Sequence, residues 1–177
     1  FTFTGREKSQ LLWEAHLHLG KNSVKPSGPT LFMQDVKKYS LPQLESSRLE
    51  DAYDELELIG FPQSMSWFEM LQKPVNGVAR AGDMMKYIGR RVQMAGLLVT
   101  VKYVRTVKKE IMHFAAFLDD TGEFFDSTHF PDTLKKYPFR GNGVYLLYGK
   151  IVEEFGFPSI EVDRMLKLPL KSDPRAV

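Results

Sequence analysis

Two neighbouring stretches decide the fold, RRVQMAGLLVTVKYVRT at residues 90–106 and IMHFAAFLDDTGEFFDSTHF at residues 111–130. The first is one long run of apolar and β-branched residues. The second contains two shorter runs on either side of Asp119-Asp120-Thr121-Gly122, which is typical of a hairpin turn. Gly96 interrupts the first run, and a glycine inside a strand suits a bulge or a bend. The pattern predicts three consecutive strands, Arg90–Thr106, Ile111–Leu118 and Glu123–Phe130.

Two further strand-like runs follow, Gly143–Glu154 and Ser159–Leu168, after a short helical stretch from Pro131 to Tyr137. Strand, strand, strand, helix, strand, strand is the order of an OB-fold, a small Greek-key barrel. Periodicity alone also allows an SH3-like barrel or an open sandwich. The predicted fold class is α+β, with a small helical N-terminal part followed by a five-stranded OB-fold β-barrel.

The residues before the barrel have helical patterns in several places. Residues 6–19 carry apolar side chains near helical spacing and are followed by Gly20. Ser47-Arg48-Leu49-Glu50 has the form of a capping box, and it predicts a helix that ends at Ile59 before Gly60. Shorter helical stretches are expected from Ser66 and over 83–88. The predicted organisation is a helical region at 1–20, a linker at 21–46, a helical connector at 47–88, the barrel at 89–170 and a tail at 171–177.

Composition restricts the possible classes of protein. The 177 residues are 43% hydrophobic and 26% charged, which is ordinary for a globular domain. No apolar stretch reaches the roughly 18 residues that span a bilayer, so no membrane contact is expected. There are no cysteines, which excludes disulfides and thiolate metal sites and agrees with a cytoplasmic location. The chain starts at Phe1 without a signal-peptide pattern, so we expect a fragment of a longer protein.

The residues predict no catalytic or metal site. No Gly-rich phosphate loop is present, and Asp119 and Asp120 lie in a turn, where Asp is favoured for local hydrogen bonds. A hairpin centred between Asp120 and Thr121 pairs His113 with Thr128, which places His113 and His129 on opposite faces of the sheet. We therefore expect no catalytic residue, no metal ligand and no cofactor in this segment.

Basic and aromatic residues around the first loop of the barrel suggest a nucleic-acid surface. The net charge is only +2, but basic side chains are concentrated in and after the first strand. Basic side chains follow phosphates and aromatic rings stack on bases, although each aromatic residue taken alone fits the barrel core as well. The predicted nucleic-acid-binding residues are Lys102, Tyr103, Arg105, Lys108, Lys109, Phe114 and Phe125.

The linker contains a second candidate binding element. Leu31 and Phe32 form a large apolar pair within a stretch that is otherwise polar and turn-forming. Such a pair can insert into a pocket of a partner protein. The alternative is that the pair packs on the Ser47–Ile59 helix.

Several segments along the chain, taken together in their order and spacing, carry a family resemblance. They are Phe1–Glu14, Tyr53–Phe61, Gly89–Gly96, Leu118–Gly122, His129–Pro131, Gly143–Gly149 and Ile160–Asp163. This ordered set resembles the bacterial DNA polymerase III alpha subunit, a C-family replicative polymerase. The resemblance implies the clamp-binding region and the OB domain of a DNA-directed DNA polymerase, a nucleotidyltransferase. The palm domain, with its Mg²⁺ ions, would lie outside this chain.

The resemblance also implies partners. The family's clamp-binding peptide, Gln-x-x-Leu-Phe, corresponds to Gly28, Thr30, Leu31 and Phe32 with Pro29 between them, and Gly28 replaces the glutamine. The implied function is to hold single-stranded template DNA in the OB domain and to dock on the sliding clamp, among other replisome subunits. Two alternatives stay open. One is a stand-alone OB module that binds RNA or tRNA, and the other is an OB domain used only for protein–protein contacts in the replisome.

Overall fold

The computed structural model describes residues 2–6, 8–19, 47–105 and 109–176, and the structural statements below concern these residues. Before the barrel lie the helices α1, Lys8–Leu19, and α2, Arg48–Ile59, with a short 3₁₀ helix at Thr2–Thr4 and another at Ala81–Tyr87. The expected helix from Ser66 is wrong, since residues 67–70 form a turn instead.

Helix α2 begins and ends as its sequence predicts. The Ser47 hydroxyl accepts a hydrogen bond from the Glu50 amide, and the Glu50 carboxylate accepts one from the Ser47 amide, each at 3.2 Å. This reciprocal pair satisfies two amides that would otherwise lack partners at the start of the helix. Gly60 ends the helix with φ at 86°, a left-handed conformation that glycine adopts without steric cost.

Five strands form a closed barrel in the order β1-β2-β3-β5-β4. The pairs are antiparallel except for β3 and β5, which run parallel and close the barrel. A helix between β3 and β4 completes the OB-fold order, so the predicted fold class is confirmed. The elements are β1 Arg91–Arg105, β2 Ile111–Leu118, β3 Phe124–His129, α3 Pro131–Lys136, β4 Val144–Glu154 and β5 Phe157–Lys167.

The long strand β1 pairs with β4 in its first half and with β2 in its second half. Its register with β2 shifts between Leu98 and Thr100, which gives the strand the bulge that a small barrel needs. Gly96 lies just before this point. A Cβ atom at Gly96 would lie 2.7 Å from Cβ of Phe117 and 2.8 Å from the Phe125 ring. Glycine at this position therefore allows both side chains to pack directly against the backbone of β1.

Buried side chains of every strand fill the barrel. The Phe117 and Phe125 rings stack in its centre with centroids 5.5 Å apart, and both residues are almost completely buried. Tyr145 is buried as well, and its hydroxyl donates to the Gly141 carbonyl oxygen at 2.7 Å. Because this polar group is hydrogen-bonded, the core includes it without an unsatisfied donor.

Asp119 fixes the β2–β3 turn and joins it to the segment before the barrel. One carboxylate oxygen accepts hydrogen bonds from the Thr121 amide and hydroxyl and from the Glu123 amide, at 2.7–3.0 Å. The other oxygen accepts from the Ala81 amide at 2.9 Å. Burial acts to raise the pKa of Asp119, but these hydrogen bonds together lower it below its usual value. Asp119 therefore has the turn role that the sequence predicts.

The register of the β2–β3 hairpin differs from the prediction by one residue. Leu118 pairs with Phe124, so residues 119–123 form the loop and His113 pairs with His129. Both histidines thus lie on the same face of the sheet, and the prediction of opposite faces is wrong. The hydrogen bond from the Glu123 amide to Asp119 draws Glu123 into the loop, and this shifts the pairing.

His129 is completely buried and is held as the neutral ring. The Ser127 hydroxyl donates to the Ala115 carbonyl oxygen at 3.0 Å, so it accepts a hydrogen bond from Nε2 of His129 at 2.9 Å. Burial lowers the pKa of His129 to about 3, with a smaller contribution from His113. A histidine in the unfolded chain takes up its proton at a pKa of about 6.5.

The free energy of unfolding should therefore fall as the pH drops from about 6.5 towards 3, because only the unfolded chain binds a proton at this site. The His129 contribution to this slope is about 1.4 kcal/mol per pH unit between pH 6 and 4. Urea titrations at pH 6, 5 and 4 would measure it. The His129→Gln variant keeps a donor for Ser127 but lacks the titrating ring, so its slope should be shallower by this amount. Equal slopes for the two proteins would contradict the assignment.

Candidate nucleic-acid interface

An open groove of about 400 Å³ lies on the outer face of β1, β2 and β3, beside the turn between β4 and β5. Aromatic rings, hydroxyl groups, two carboxylates and one lysine line it together. Its lining residues are Thr100, Lys102, Phe114, Ala115, Ala116, Asp126, Thr128, Glu154, Phe155, Phe157, Pro158 and Ser159.

Strand pairing orders the floor of this groove in two rows. Lys102 of β1, Phe114 of β2 and Thr128 of β3 are register partners and form one row. Thr100, Ala116, Asp126 and Ser159 form the next row across β1, β2, β3 and β5. Paired residues project from the same face because side chains alternate along a strand. One row therefore combines a cation with an aromatic ring, and the other consists of small or polar side chains.

The turn between β4 and β5 adds two rings to the groove. Phe155 is 100% exposed and Phe157 is 77% exposed, while Phe114 on the floor is 41% exposed. Exposed apolar side chains that gather in one open groove are a feature of binding grooves. These three rings give the groove several flat apolar surfaces.

Phe155 has an unfavourable backbone conformation. Its φ is 53° and that of Gly156 is 85°, so both central residues of the hairpin turn lie in the left-handed region. Two-residue hairpin turns of this kind prefer Asn-Gly, and a bulky residue at φ above zero costs about 1–2 kcal/mol. A phenylalanine that is strained and fully exposed contributes nothing to the core. Local strain of this kind accumulates at functional sites.

The structure brings some of the predicted nucleic-acid residues together at this groove and leaves others outside it. Lys102 and Phe114 line it. Tyr103 lies on the opposite face of β1, where its ring packs edge-on against His113 with centroids 4.5 Å apart. Arg105, at the end of β1, and Lys109, just before β2, are exposed on either side of the first loop.

The structure corrects the prediction that Phe125 is part of the nucleic-acid-binding site. It is 4% exposed and stacks on Phe117 in the core, so its ring is not available to a base. Its neighbour Phe124 is 67% exposed. Five predicted site residues lie outside the described part of the chain, and their binding roles stay predictions; they are Lys108, Gly28, Thr30, Leu31 and Phe32.

Phe155, Phe157 and Asp126 are groove residues that the sequence reasoning did not select. The signal for the two aromatic residues was present, since phenylalanines flank Gly156 in a turn where polar residues are usual. Asp126 had no such signal, because only the register of β3 determines whether its side chain faces the groove.

The described residues contain no group of three or more His, Cys, Asp or Glu side chains that could hold a metal ion. No helix within the described ranges is long and apolar enough to cross a membrane.

The fold and the groove together define an OB-fold protein with an open, aromatic-lined surface. No protein-family model matches the chain, and a search of curated proteins found no match either. Several solved structures are similar to it. The single-stranded DNA binding protein from Thermus aquaticus is 14% identical, with a TM-score of 0.42 over 49% of this chain and 43% of that one. The chain thus matches less than half the length of that protein.

Two isolated domains are also similar. The N-terminal domain of PriB from Thermoanaerobacter tencongensis is 8% identical, with a TM-score of 0.38 over 45% of this chain and 96% of that one. The second OB-fold domain of replication protein A from Methanococcus maripaludis is 13% identical, with a TM-score of 0.33 over 49% of this chain and 89% of that one. Similarities at this level do not by themselves define a function for the chain.

The expectation that the chain is part of a DNA-directed DNA polymerase is wrong on these comparisons. The similar structures named above are a single-stranded DNA binding protein, a PriB domain and an OB-fold domain of replication protein A, and no protein-family model, of a polymerase or otherwise, matches the chain. The segments that carried the resemblance include the Leu118–Gly122 turn and the Gly143–Gly149 strand. Both segments form parts of the barrel, so they indicate the OB-fold and do not identify the polymerase family.

Proposed function

We propose that the chain binds single-stranded DNA in the groove between the outer face of β1, β2 and β3 and the turn between β4 and β5. The observation that carries this proposal is the set of exposed rings Phe114, Phe155 and Phe157 beside Lys102 in one open groove. Stacking of a base on an aromatic side chain contributes about 1–3 kcal/mol and tolerates any base.

The charges around the groove favour one orientation of the strand. Asp126 and Glu154 line the groove and repel phosphates, whereas Lys102 lines it on its β1 side and Arg105 and Lys109 are exposed beside the first loop. The phosphate backbone is thus expected along the basic flank, with the bases turned towards the rings. A duplex hides the faces of its bases, so the groove should favour single strands over duplex.

Fluorescence anisotropy with a labelled oligo(dT) tests the proposal against a duplex of equal length. The chain should bind the single strand more tightly, and Phe114→Ala should weaken binding at least about fivefold because one stacking contact is lost. Phe61→Ala is the matched control, since Phe61 is a 53% exposed ring outside the groove. Equal affinity for single strand and duplex, or unchanged binding by the Phe114 variant, would contradict the proposal.

Salt dependence tests the phosphate contact separately. Lys102→Gln should reduce the slope of log K against log salt concentration by about 0.7, the value for one phosphate contact on a single strand. Lys73→Gln, an exposed lysine of the connector, should leave the slope unchanged.

The same assay separates the alternative functions. Tighter binding of RNA with the equivalent sequence would favour an RNA module, and no binding of any nucleic acid would favour protein contacts alone. Docking of Leu31 and Phe32 on a sliding clamp stays a prediction from the sequence, as does a cytoplasmic location.

A further inference from the structure

We infer that the groove selects guanine among the bases of a single strand, through the carboxylate of Asp126. The inference rests on the proposed function and deepens it, because it concerns which base the same groove prefers. The carboxylate itself has no role in stacking or in phosphate binding.

Asp126 lies at the centre of the polar row on the groove floor. Its register partners are Ala116 on one side and Ser159 on the other, and Thr100 lies beyond Ala116 in the same row. Within the described residues, the Asp126 carboxylate makes no hydrogen bond or ion pair. Both carboxylate oxygens are therefore available to a ligand, next to the hydroxyl group of Ser159.

Phe114 positions a base edge over this carboxylate. Because Phe114 lies two residues before Ala116 on β2, it is a diagonal neighbour of Asp126, and such neighbours are about 7–8 Å apart. A base stacked on the Phe114 ring thus extends its hydrogen-bonding edge towards Asp126. The negative charge keeps a phosphate from taking this place, so the group that meets Asp126 is a base edge.

The chemistry of the four bases favours guanine at this position. The Watson–Crick edge of guanine presents two adjacent donors, N1–H and the N2 amino group, which match the two acceptor oxygens of a carboxylate. Thymine has a single N–H between two carbonyl oxygens that the carboxylate repels. Adenine and cytosine each place an acceptor nitrogen beside the amino group. The Ser159 hydroxyl, on the strand next to Asp126, can donate to O6 of guanine, which completes the pairing.

The test uses oligo(dT) 12-mers that carry guanine, adenine, cytosine or inosine at every third position, in a lithium buffer that prevents quadruplexes. The chain should bind the guanine strand about tenfold more tightly than oligo(dT), since a bidentate pair gives discrimination of this order. Inosine lacks the N2 amino group, so its strand should lose most of the gain. Asp126→Asn should abolish the preference for guanine while it keeps the binding of oligo(dT).

Glu153→Gln is the matched control, because Glu153 is an exposed carboxylate next to the groove residue Glu154 but is not part of the lining. It should retain the guanine preference. Equal affinity for all strands, or a preference that persists in Asp126→Asn, overturns the base selection and leaves single-strand binding intact. Binding of none of the strands overturns both proposals.

Discussion

Replacing both Phe155 and Phe157 with alanine should weaken the binding of single-stranded DNA at least about 30-fold, the largest effect on binding that we expect. Each ring offers one stacking surface, and two lost stacking contacts amount to at least about 2 kcal/mol. The barrel itself should be unaffected, since these side chains are 100% and 77% exposed. Anisotropy titrations with labelled oligo(dT) measure the affinity, and urea denaturation of the same samples measures the stability.

A single substitution at Phe155 separates binding from folding. Phe155→Asn places a residue that suits the left-handed first position of the turn, so the free energy of unfolding should rise by about 1 kcal/mol. The affinity for oligo(dT) should fall at the same time. If Phe155 only formed the turn, the variant would be more stable with unchanged binding. That outcome would contradict the assignment of its ring to the DNA site.

The Gly149→Ala variant should lose about 3 kcal/mol of stability, the largest effect on folding that we expect. A Cβ atom at Gly149 would lie 2.8 Å from the carbonyl carbon of Glu161 and 2.9 Å from Cα of Val162, both in the backbone of β5. The register of β4 and β5 shifts between Tyr148 and Gly149, which brings the two backbones together at this point. Gly149 also pairs with Val92 of β1, so β4 is fixed from both sides.

Gly82→Ala is the matched control for this substitution. The added Cβ atom at Gly82 meets only the carboxylate end of Glu123, a flexible side chain that can turn away. Its cost should stay below about 1 kcal/mol. Urea denaturation followed by circular dichroism compares the two variants with the unchanged chain. A Gly149→Ala protein as stable as the Gly82→Ala protein would show that β4 and β5 adjust to the added atom.

Local patterns in the sequence were sufficient to predict the five strands and helix α2, although not the turn at residues 67–70, where a helix was expected. The capping box at Ser47 and Glu50 satisfies its own amides, and the Asp119–Gly122 turn makes most of its hydrogen bonds within itself. Such features depend on residues a few positions apart, so they can be recognised without knowledge of the rest of the chain. Of the candidate site, the same reasoning found Lys102 and Phe114, because charge and aromatic character lie together in the sequence there.

The side-chain faces could not be predicted, because they depend on register. Asp119 draws Glu123 into the loop, and the shift of one residue places His113 and His129 on one face. The effect is large because side chains alternate along a strand, so a shift of one residue reverses every face. Whether Asp126 faces the groove depends on this same register.

The sequence by itself thus determined the order of the strands along the chain, the ends of helix α2 and the place of the β2–β3 turn, but not the register of that hairpin. Only the tertiary structure decided which aromatic residues form a site. Phe125 enters the core, while Phe155 and Phe157 join the groove because β5 pairs with β3 and brings the last turn beside the groove face of β3. The physical reason is distance along the chain: the parallel pairing of β3 with β5 joins residues more than thirty positions apart, and no local pattern encodes it.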